Sequence, residues 1–379
     1  MRRALCLLKG LAIGLALVVL GVALLLGYWY VRANTATVEA ALGLETWVAV
    51  SDGTHNSNTD LIYWKDAFYL VHATSPWHFA SSQTRLRVLR SADGHTWERL
   101  AELDVPDQDV RDPKFASIGD RLFLYALKNR ALTAEPYGTA VASSDDGRAW
   151  SPLQDVEPQG WLFWRPKTRD GGTWYAPAYW HEHGRAVLLK STDGIHWEEV
   201  STIYSGDRAD ETAIEFMPDG SLLATARLEV SDSIFGHRDA ATLVAVASPP
   251  YAQWRYARSS VTRLDGPSLF SYQGRVFAVG RAHVGPHGPL TRVGSIFGRK
   301  RTALYLVTPD GLVHLSDLPS AGDTSYAGSV IRGDDLYISY YTSRTDRDWP
   351  WILGMLLPSE IRMARVPLPQ LLELAAGNP

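Results

Sequence analysis

One cysteine, Cys6, is all that 379 residues contain, so no disulfide framework and no thiol nucleophile exist beyond the N-terminus. Stability has to come from a packed core. Net charge is also scarce, with 37 Lys and Arg against 41 Asp and Glu. Setting aside Arg2, Arg3, Lys9 and Arg32 leaves 33 against 41, a formal charge near −8, which excludes the basic footprint of a nucleic-acid partner. Charge is missing altogether from Gly10 to Val31. As a helix that run would rise roughly 33 Å, enough to cross a bilayer. Arg2, Arg3 and Lys9 precede it, which puts the N-terminus in the cytoplasm and everything after Arg32 outside, with Tyr28, Trp29 and Tyr30 as an interfacial belt. A cleaved signal peptide has a shorter apolar core and a small-residue site close behind it. The nearest such site, Val38-Glu39-Ala40, lies too far downstream. The expectation is a single-pass membrane protein: residues 1–31 the cytoplasmic tip and anchor, 32–43 a stalk, and the remainder periplasmic or extracellular.

Aromatic residues are plentiful, with 14 Trp and 17 Tyr, which favours many short strands over long helices. Three segments repeat: Ser91-Ala-Asp93-Gly94-His-Thr-Trp97, Ser143-Ser-Asp145-Asp-Gly147-Arg-Ala-Trp150 and Ser191-Thr-Asp193-Gly194-Ile-His-Trp197. The middle one has the full Ser-x-Asp-x-Gly-x-x-Trp spacing of an Asp box, and Ser248 to Trp254 is a decayed fourth copy. Asp accepts backbone N–H bonds, Gly supplies positive φ and Trp packs the turn on its sheet, so these are hairpin turns with a structural role. A second repeat, strand, tight polar turn and strand, recurs at Lys65-Asp66, Gly119-Asp120, Gly171-Gly172, Asp219-Gly220, Gln273-Gly274 and Gly333-Asp334. Successive turns are about 48 to 60 residues apart, one four-stranded blade each. The prediction is an all-β, six-bladed β-propeller over 44–368, closed by pairing an N-terminal strand, 44–50, into the sixth blade. Residues 369–379 read as a C-terminal tail.

In a propeller of this kind the Asp-box turns point to one face and the starts of the innermost strands to the other, where sites form. Those starts read Asn58-Thr-Asp60, Arg111-Asp112-Pro113, Trp164-Arg165-Pro166, Asp210-Glu211, Asp265-Gly-Pro and Asp323-Thr-Ser-Tyr326. The loops that open beside them begin near His72, Lys128, His181, Arg227, Arg281 and Thr342. Arg165, Arg227 and Arg281 would clamp an anionic sugar, since guanidinium pairs with carboxylate in a bidentate manner. Trp77, Trp161, Trp164 and Trp180 fall near the mouth, where sugar stacking competes with core packing. His181-Glu182-His183 offers two ligands in a short turn, too few for a metal, and neither a metal nor a cofactor is expected. An apolar stretch, Trp349-Pro-Trp351-Ile-Leu-Gly-Met-Leu-Leu, sits in an insertion between Thr342 and Glu360. It would cap the pocket, bind a lipid-linked aglycone, dip into the bilayer interface, or pack on the neighbouring loop from Ala282 to Lys300.

Asp boxes on a six-bladed propeller resemble the sialidase (neuraminidase) superfamily over nearly all of the exported chain. That family uses a Tyr nucleophile activated by Glu, an Asp acid/base and three arginines on the substrate carboxylate. Asp210-Glu211-Thr-Ala-Ile-Glu-Phe-Met-Pro-Asp-Gly220-Ser-Leu-Leu-Ala-Thr-Ala-Arg227 is similar to the family's Glu-to-Arg strand pair, and Tyr326 opens the sixth blade where its nucleophile stands. Arg301 matches the third arginine more weakly. Two departures stand out. The family opens its first blade with Arg-Ile-Pro, where this chain has Asn58-Thr59-Asp60, and the loop from His72 to Thr84, which should hold the acid, contains no carboxylate. Arg111-Asp112-Pro113 is similar to a tripeptide of five-bladed furanosidases, and Asp60, Asp112 and Glu211 would supply a carboxylate trio for glycoside hydrolysis.

The sequence therefore predicts a sialidase-like, glycan-active propeller on an extracytoplasmic glycan rather than a strict sialidase. Tyr326 with Glu211, or Asp112 and Asp60 with Glu211, are the catalytic candidates, and Arg227, Arg165, Arg111, Arg281 and Arg301 the substrate-binding ones. The alternative is a non-catalytic propeller that binds glycan or protein at the membrane.

Overall fold

The computed structural model describes residues 2–130 and 136–377. Six antiparallel sheets follow one another along the chain. Their innermost strands are, in order, His55–Trp64, Gln108–Ile118, Trp161–Phe163 with Lys167–Thr168, Ala209–Phe216, Asp265–Tyr272 and Thr324–Arg332. Neighbouring blades touch around a ring, and the inner strand of the first touches that of the sixth. Pro166 lies in the gap of the third blade's inner strand, where it withholds an N–H from the ladder. Burial falls from axis to rim: Ala209–Phe216 is buried throughout, whereas the outer strand of the same blade, Arg255–Ser259, is largely exposed. The ring closes as the sequence predicts. Glu45–Val50 pairs antiparallel with Glu360–Pro367 and becomes the outermost strand of the sixth blade, which fastens the two ends of the propeller together.

The Asp-box turns pin adjacent blades together. In the third, Ser191 Oγ accepts from Gly194 N at 2.9 Å and Asp193 from Ile195 N and His196 N at 2.8 Å each. Gly194 has φ of 78° and sits against Tyr125 of the second blade, leaving no room for a Cβ. Trp197 packs edge-on against Tyr125 and Phe163. The second box departs from the expected register. Ser144 Oγ, not Ser143, accepts from Gly147 N at 2.8 Å, and Asp146, not Asp145, accepts from Arg148 N and Ala149 N. All three turns are therefore Ser-x-Asp-Gly-x-x-Trp, because the side chain must reach back over a turn of fixed length.

Two flanking segments are more ordered than their composition implies. The expected tail carries a helix, Leu368–Ala376, whose Leu368, Leu371 and Ala375 are buried against the core under the sixth blade. The expected stalk lies along the propeller. Thr37 N donates to Asp317 Oδ2 at 2.8 Å, Asp317 N to Thr37 O at 2.9 Å, and Asp348 N to Arg32 O at 3.0 Å. Asn34 Nδ2 donates to Ser320 O and Thr345 O. Ahead of it the helix Arg2–Val31 projects from the propeller. Its segment Leu8–Val31 is long and apolar enough to cross a membrane, a property it shares with signal sequences.

Candidate active site

Each inner strand is irregular at the same level. Five of them carry a bulge: between Ser57 and Thr59, Arg111 and Lys114, Ala209 and Thr212, Asp265 and Ser268, and Ser325 and Gly328. The sixth, in the third blade, is the one interrupted around Trp164 to Pro166. A bulge bends its strand and re-aims a side chain. Here Asn58, Asp112 and Tyr326 have φ of 46°, 49° and 44°, backbone that bulky residues rarely adopt. Gly266, at φ 59°, is the one glycine among these turning points, and a Cβ there would meet the Tyr326 ring at 2.7 Å.

The result is a buried cluster drawn from three blades. Tyr326 Oη donates a short hydrogen bond to Glu211 Oε1, and Gly266 N donates to Glu211 Oε2 at 2.7 Å. Arg227 Nη1 lies 3.0 Å from Glu211 Oε1 and donates to Tyr326 Oη at 3.4 Å. Asp210 fixes that guanidinium, accepting from Nε at 2.7 Å and Nη2 at 2.5 Å. Arg281 lies 4.8 Å over the Tyr326 ring. Burial pushes the Glu211 carboxyl up to about 7 against the pull of Arg227, so it exchanges its proton near neutrality. Burial also holds the Tyr326 phenol well above its usual value, with Glu211 adding to the effect and Arg227 and Arg281 opposing it. A phenol beside a carboxylate that can take its proton, flanked by two guanidiniums, is an arrangement chemically suited to nucleophilic attack.

A second group faces the same space. His78 Nδ1 lies 2.6 Å from Asp323 Oδ2, and His55 Nε2 lies 3.2 Å from the same oxygen. Asp323 Oδ1 accepts from Trp351 Nε1 at 2.7 Å, Tyr341 Oη at 2.8 Å and Arg281 Nη2 at 3.2 Å. Burial lowers the His78 pKa, which Asp323 partly restores. A cavity of about 290 Å³ joins the two groups, lined among others by His78, Arg111, Asp112, Glu211, Arg227 and Tyr326. Trp351 lines it too, on a helical turn, Trp351–Leu356, within the apolar insertion. That insertion packs on the loop of the fifth blade, with Trp351 N on Gly298 O at 2.9 Å and Ile352 N on Ile296 O at 2.8 Å.

Several predicted site residues lie elsewhere. Asp60 does not face the cavity: it is fully buried, accepts from Phe115 N at 2.7 Å and pairs with Arg165. Arg165 also donates to Ser268, so with Phe115 this pair stitches four blades together and leaves neither member for a ligand. Arg301 is buried in an ion pair with Asp348 and reaches Thr35 in the stalk, so it anchors that segment and is no substrate-binding group. Arg281 backs Tyr326 without lining the cavity. Asp112 and Arg111 do line it. Asp112 accepts from Asn58 Nδ2, and Arg111 pairs with Asp109 at 2.6 Å. Trp164 is core, its Nε1 on Pro267 O at 2.8 Å. Among the described residues two sets of side chains could hold a cation, His183, Asp210 and Glu229, and His55, His78 and Asp323. In each the positive charge is already supplied, by Arg227 at 2.5 Å from Asp210 and by Arg281 at 3.2 Å from Asp323.

No protein-family model and no curated protein matches the sequence. Solved structures do. Phage phi92 endosialidase superposes with a TM-score of 0.66 at 10% identity, over 87% of this chain and 70% of that one. A mutant of Trypanosoma rangeli sialidase displaying trans-sialidase activity gives 0.63 at 14% identity, over 90% of this chain and 61% of that one. The fold is that of the sialidases. A protein of unknown function from Dyadobacter fermentans shares it, with a TM-score of 0.61 at 14% identity over 86% of this chain and 99% of its own. On this sialidase fold His78 occupies the loop where an acid was expected. Apart from His72 it is the only titratable side chain between His72 and Thr84, a signal the sequence carried and a search for carboxylates passes over.

Proposed function

We propose that this chain is a retaining glycoside hydrolase of sialidase type that acts on an anionic sugar. The observation that carries the reading is the hydrogen bond from Tyr326 Oη to Glu211 Oε1 with Arg227 on both partners. Tyr326 Oη attacks the anomeric carbon while its proton passes to Glu211. The glycosidic C–O bond breaks, and the leaving oxygen takes a proton from His78. Water then gives a proton to His78, its oxygen bonds the anomeric carbon, and Tyr326 leaves with the proton held by Glu211. With Nδ1 held against Asp323, Nε2 of His78 is the nitrogen available to the glycosidic oxygen, which gives His78 the place of the missing acid. A neutral phenol suits an anionic sugar better than a carboxylate would, since it brings no like charge to the encounter. Arg227 and Arg111, both lining the cavity, orient the substrate.

The test is release of an aryl leaving group from aryl glycosides of sialic acid and related acidic sugars by the full chain in detergent. The productive form needs Glu211 ionised and His78 protonated. The rate should therefore peak at mildly acidic pH, between the lowered His78 value and the Glu211 value of about 7. Replacing His78 by Ala should cost about a hundredfold and flatten the profile for the glycosidic step. No release by the wild-type chain across the panel would leave the propeller as a binding scaffold.

A further inference from the structure

The apolar insertion is shared between the cavity and the N-terminal helix. On one side of its single helical turn Trp351 lines the cavity. On the other, Trp349, Leu353 and Leu357 form an apolar groove with Leu26, Gly27 and Tyr30 of the N-terminal helix. The chain between them is tied down: Asp348 N donates to Arg32 O, Ala33 bridges Arg347, and Arg299, Arg301 and Arg32 all meet Asp348. The helix end and the cavity mouth therefore belong to one packed body.

Depth follows from helix geometry. Leu26 precedes Arg32 by six positions, about 9 Å along the axis at 1.5 Å per residue. If the helix spans a bilayer with Arg32 at the head groups, Leu26 lies at the edge of the hydrocarbon, and Leu353 and Leu357, which line the same groove, lie near that level too. Trp29 and Tyr28 stack with Arg32 at about the head-group level. The loops joining the second and third strands of these blades also carry exposed apolar side chains: Trp77 and Phe79 from the first blade, Ile234 and Phe235 from the fourth, Leu290 from the fifth and Leu356 from the sixth. Backbone bonds knit these loops together, His78 N to Met355 O at 2.9 Å and Ile296 N to Ile234 O at 3.0 Å. Exposed apolar side chains gathered on joined loops of one face are a liability unless something covers them.

We propose that the cavity mouth is seated on the outer surface of the bilayer that the N-terminal helix spans, and that the substrate is the acidic sugar head group of a lipid-anchored glycan, taken from the plane of the membrane. The seat stands on the packing of helix, insertion and rim. The substrate half rests on the hydrolase reading above.

The test uses the full chain carrying Cys6→Ser, reconstituted in vesicles of phosphatidylcholine with a minority of phosphatidylglycerol. Single cysteines placed by Phe79→Cys, Leu290→Cys and, on the Asp-box face, Ile195→Cys carry a nitroxide; all three parent side chains are exposed, so the fold tolerates the labels. Labels at 79 and 290 should be relaxed by dissolved oxygen in preference to an aqueous nickel chelate, and the label at 195 the reverse. Aqueous behaviour at both rim positions overturns the seat and leaves the rim to a protein partner. In the same vesicles a sialylated lactosylceramide should be cleaved at least about tenfold faster than free sialyllactose at equal bulk concentration, since sharing a membrane raises the effective concentration. Combining Phe79→Ser, Phe235→Ser and Leu290→Ser should bring the lipid rate down to the free rate and leave the free rate unchanged. Equal rates in the wild type overturn the substrate half. Cleavage of neither overturns it together with the hydrolase reading, while the depth readings decide the seat on their own.

Discussion

On the Asp-box face Asp93 accepts from His95 N and Thr96 N, and Gly94 N donates to Ser91 Oγ, all within one short turn. At the mouth Glu211 meets Tyr326 and Gly266, 115 and 55 residues away. The first face is assembled from bonds within single turns, whose Ser91 and Gly94 are buried against neighbouring elements while Asp93 stays exposed. The second holds buried charges on strained backbone, and each group there depends on the placement of several others. Local bonds identify the fold and tolerate loss one at a time. Long-range ones build the candidate site, where each buried group has several partners drawn from different blades.

Substitutions on each face can break this contrast. The largest effect is expected from Tyr326→Phe, which removes one oxygen from the cluster. Turnover of an acidic aryl glycoside should fall by at least about a thousandfold with the melting temperature little changed, and kinetics beside a thermal melt will show both. Arg301→Ala tests whether mouth-face charges can be purely structural. It removes one of three guanidiniums from the buried Asp348 carboxylate, leaving Arg299 and Arg32, and the lost charged hydrogen bonds should destabilise the fold by about 3 kcal/mol, read by denaturant unfolding, while the folded fraction keeps its kcat/KM.

Glu211→Gln sharpens the comparison through pH. Burial raises the Glu211 pKa in the folded chain from 4.5 to about 7. A raised value means the stability it contributes is full below about 4.5 and is lost as pH rises through about 7, up to about 3 kcal/mol. The Gln variant should therefore gain stability relative to wild type between pH 5 and pH 8, and parallel melting curves at the two pH values would contradict this. The smallest effect belongs to the Asp-box face. Ser144→Ala should cost about 1 kcal/mol and Ser143→Ala less, with catalysis untouched in both, and the reverse order would restore the register read from sequence.

Much of the architecture was legible because it is local. The six strand turns and the three boxes each lie within a few consecutive residues, and hairpin turns restrict residue type strongly at Gly and Asp. Glu211 and Arg227 were legible as a spaced pair on adjacent strands, and Tyr326 by its place at the start of a blade. The bulges that aim Tyr326 and Asp112 were not, since positive φ there is carried by residues whose identity does not announce it. The burial of Asp60 was not legible either, because its partner Arg165 lies 105 residues on. The structural role of Arg301 is not legible either, because the carboxylate that holds it, Asp348, lies 47 residues away. The register of the second box is not legible because Ser143 and Ser144, and Asp145 and Asp146, are chemically identical neighbours that only hydrogen-bond geometry tells apart.

The central claim is that Tyr326 becomes covalently bonded to the sugar. 2,3-Difluorosialic acid forms a covalent intermediate with Trypanosoma rangeli sialidase, which makes it a direct probe. After incubation of the full chain with this compound, peptide mass spectrometry should find the fluorosialyl adduct on the peptide containing Tyr326, absent in Tyr326→Phe and diminished in Glu211→Gln. An adduct on Asp112 or Glu211, or none on a chain that hydrolyses acidic glycosides, would contradict the account.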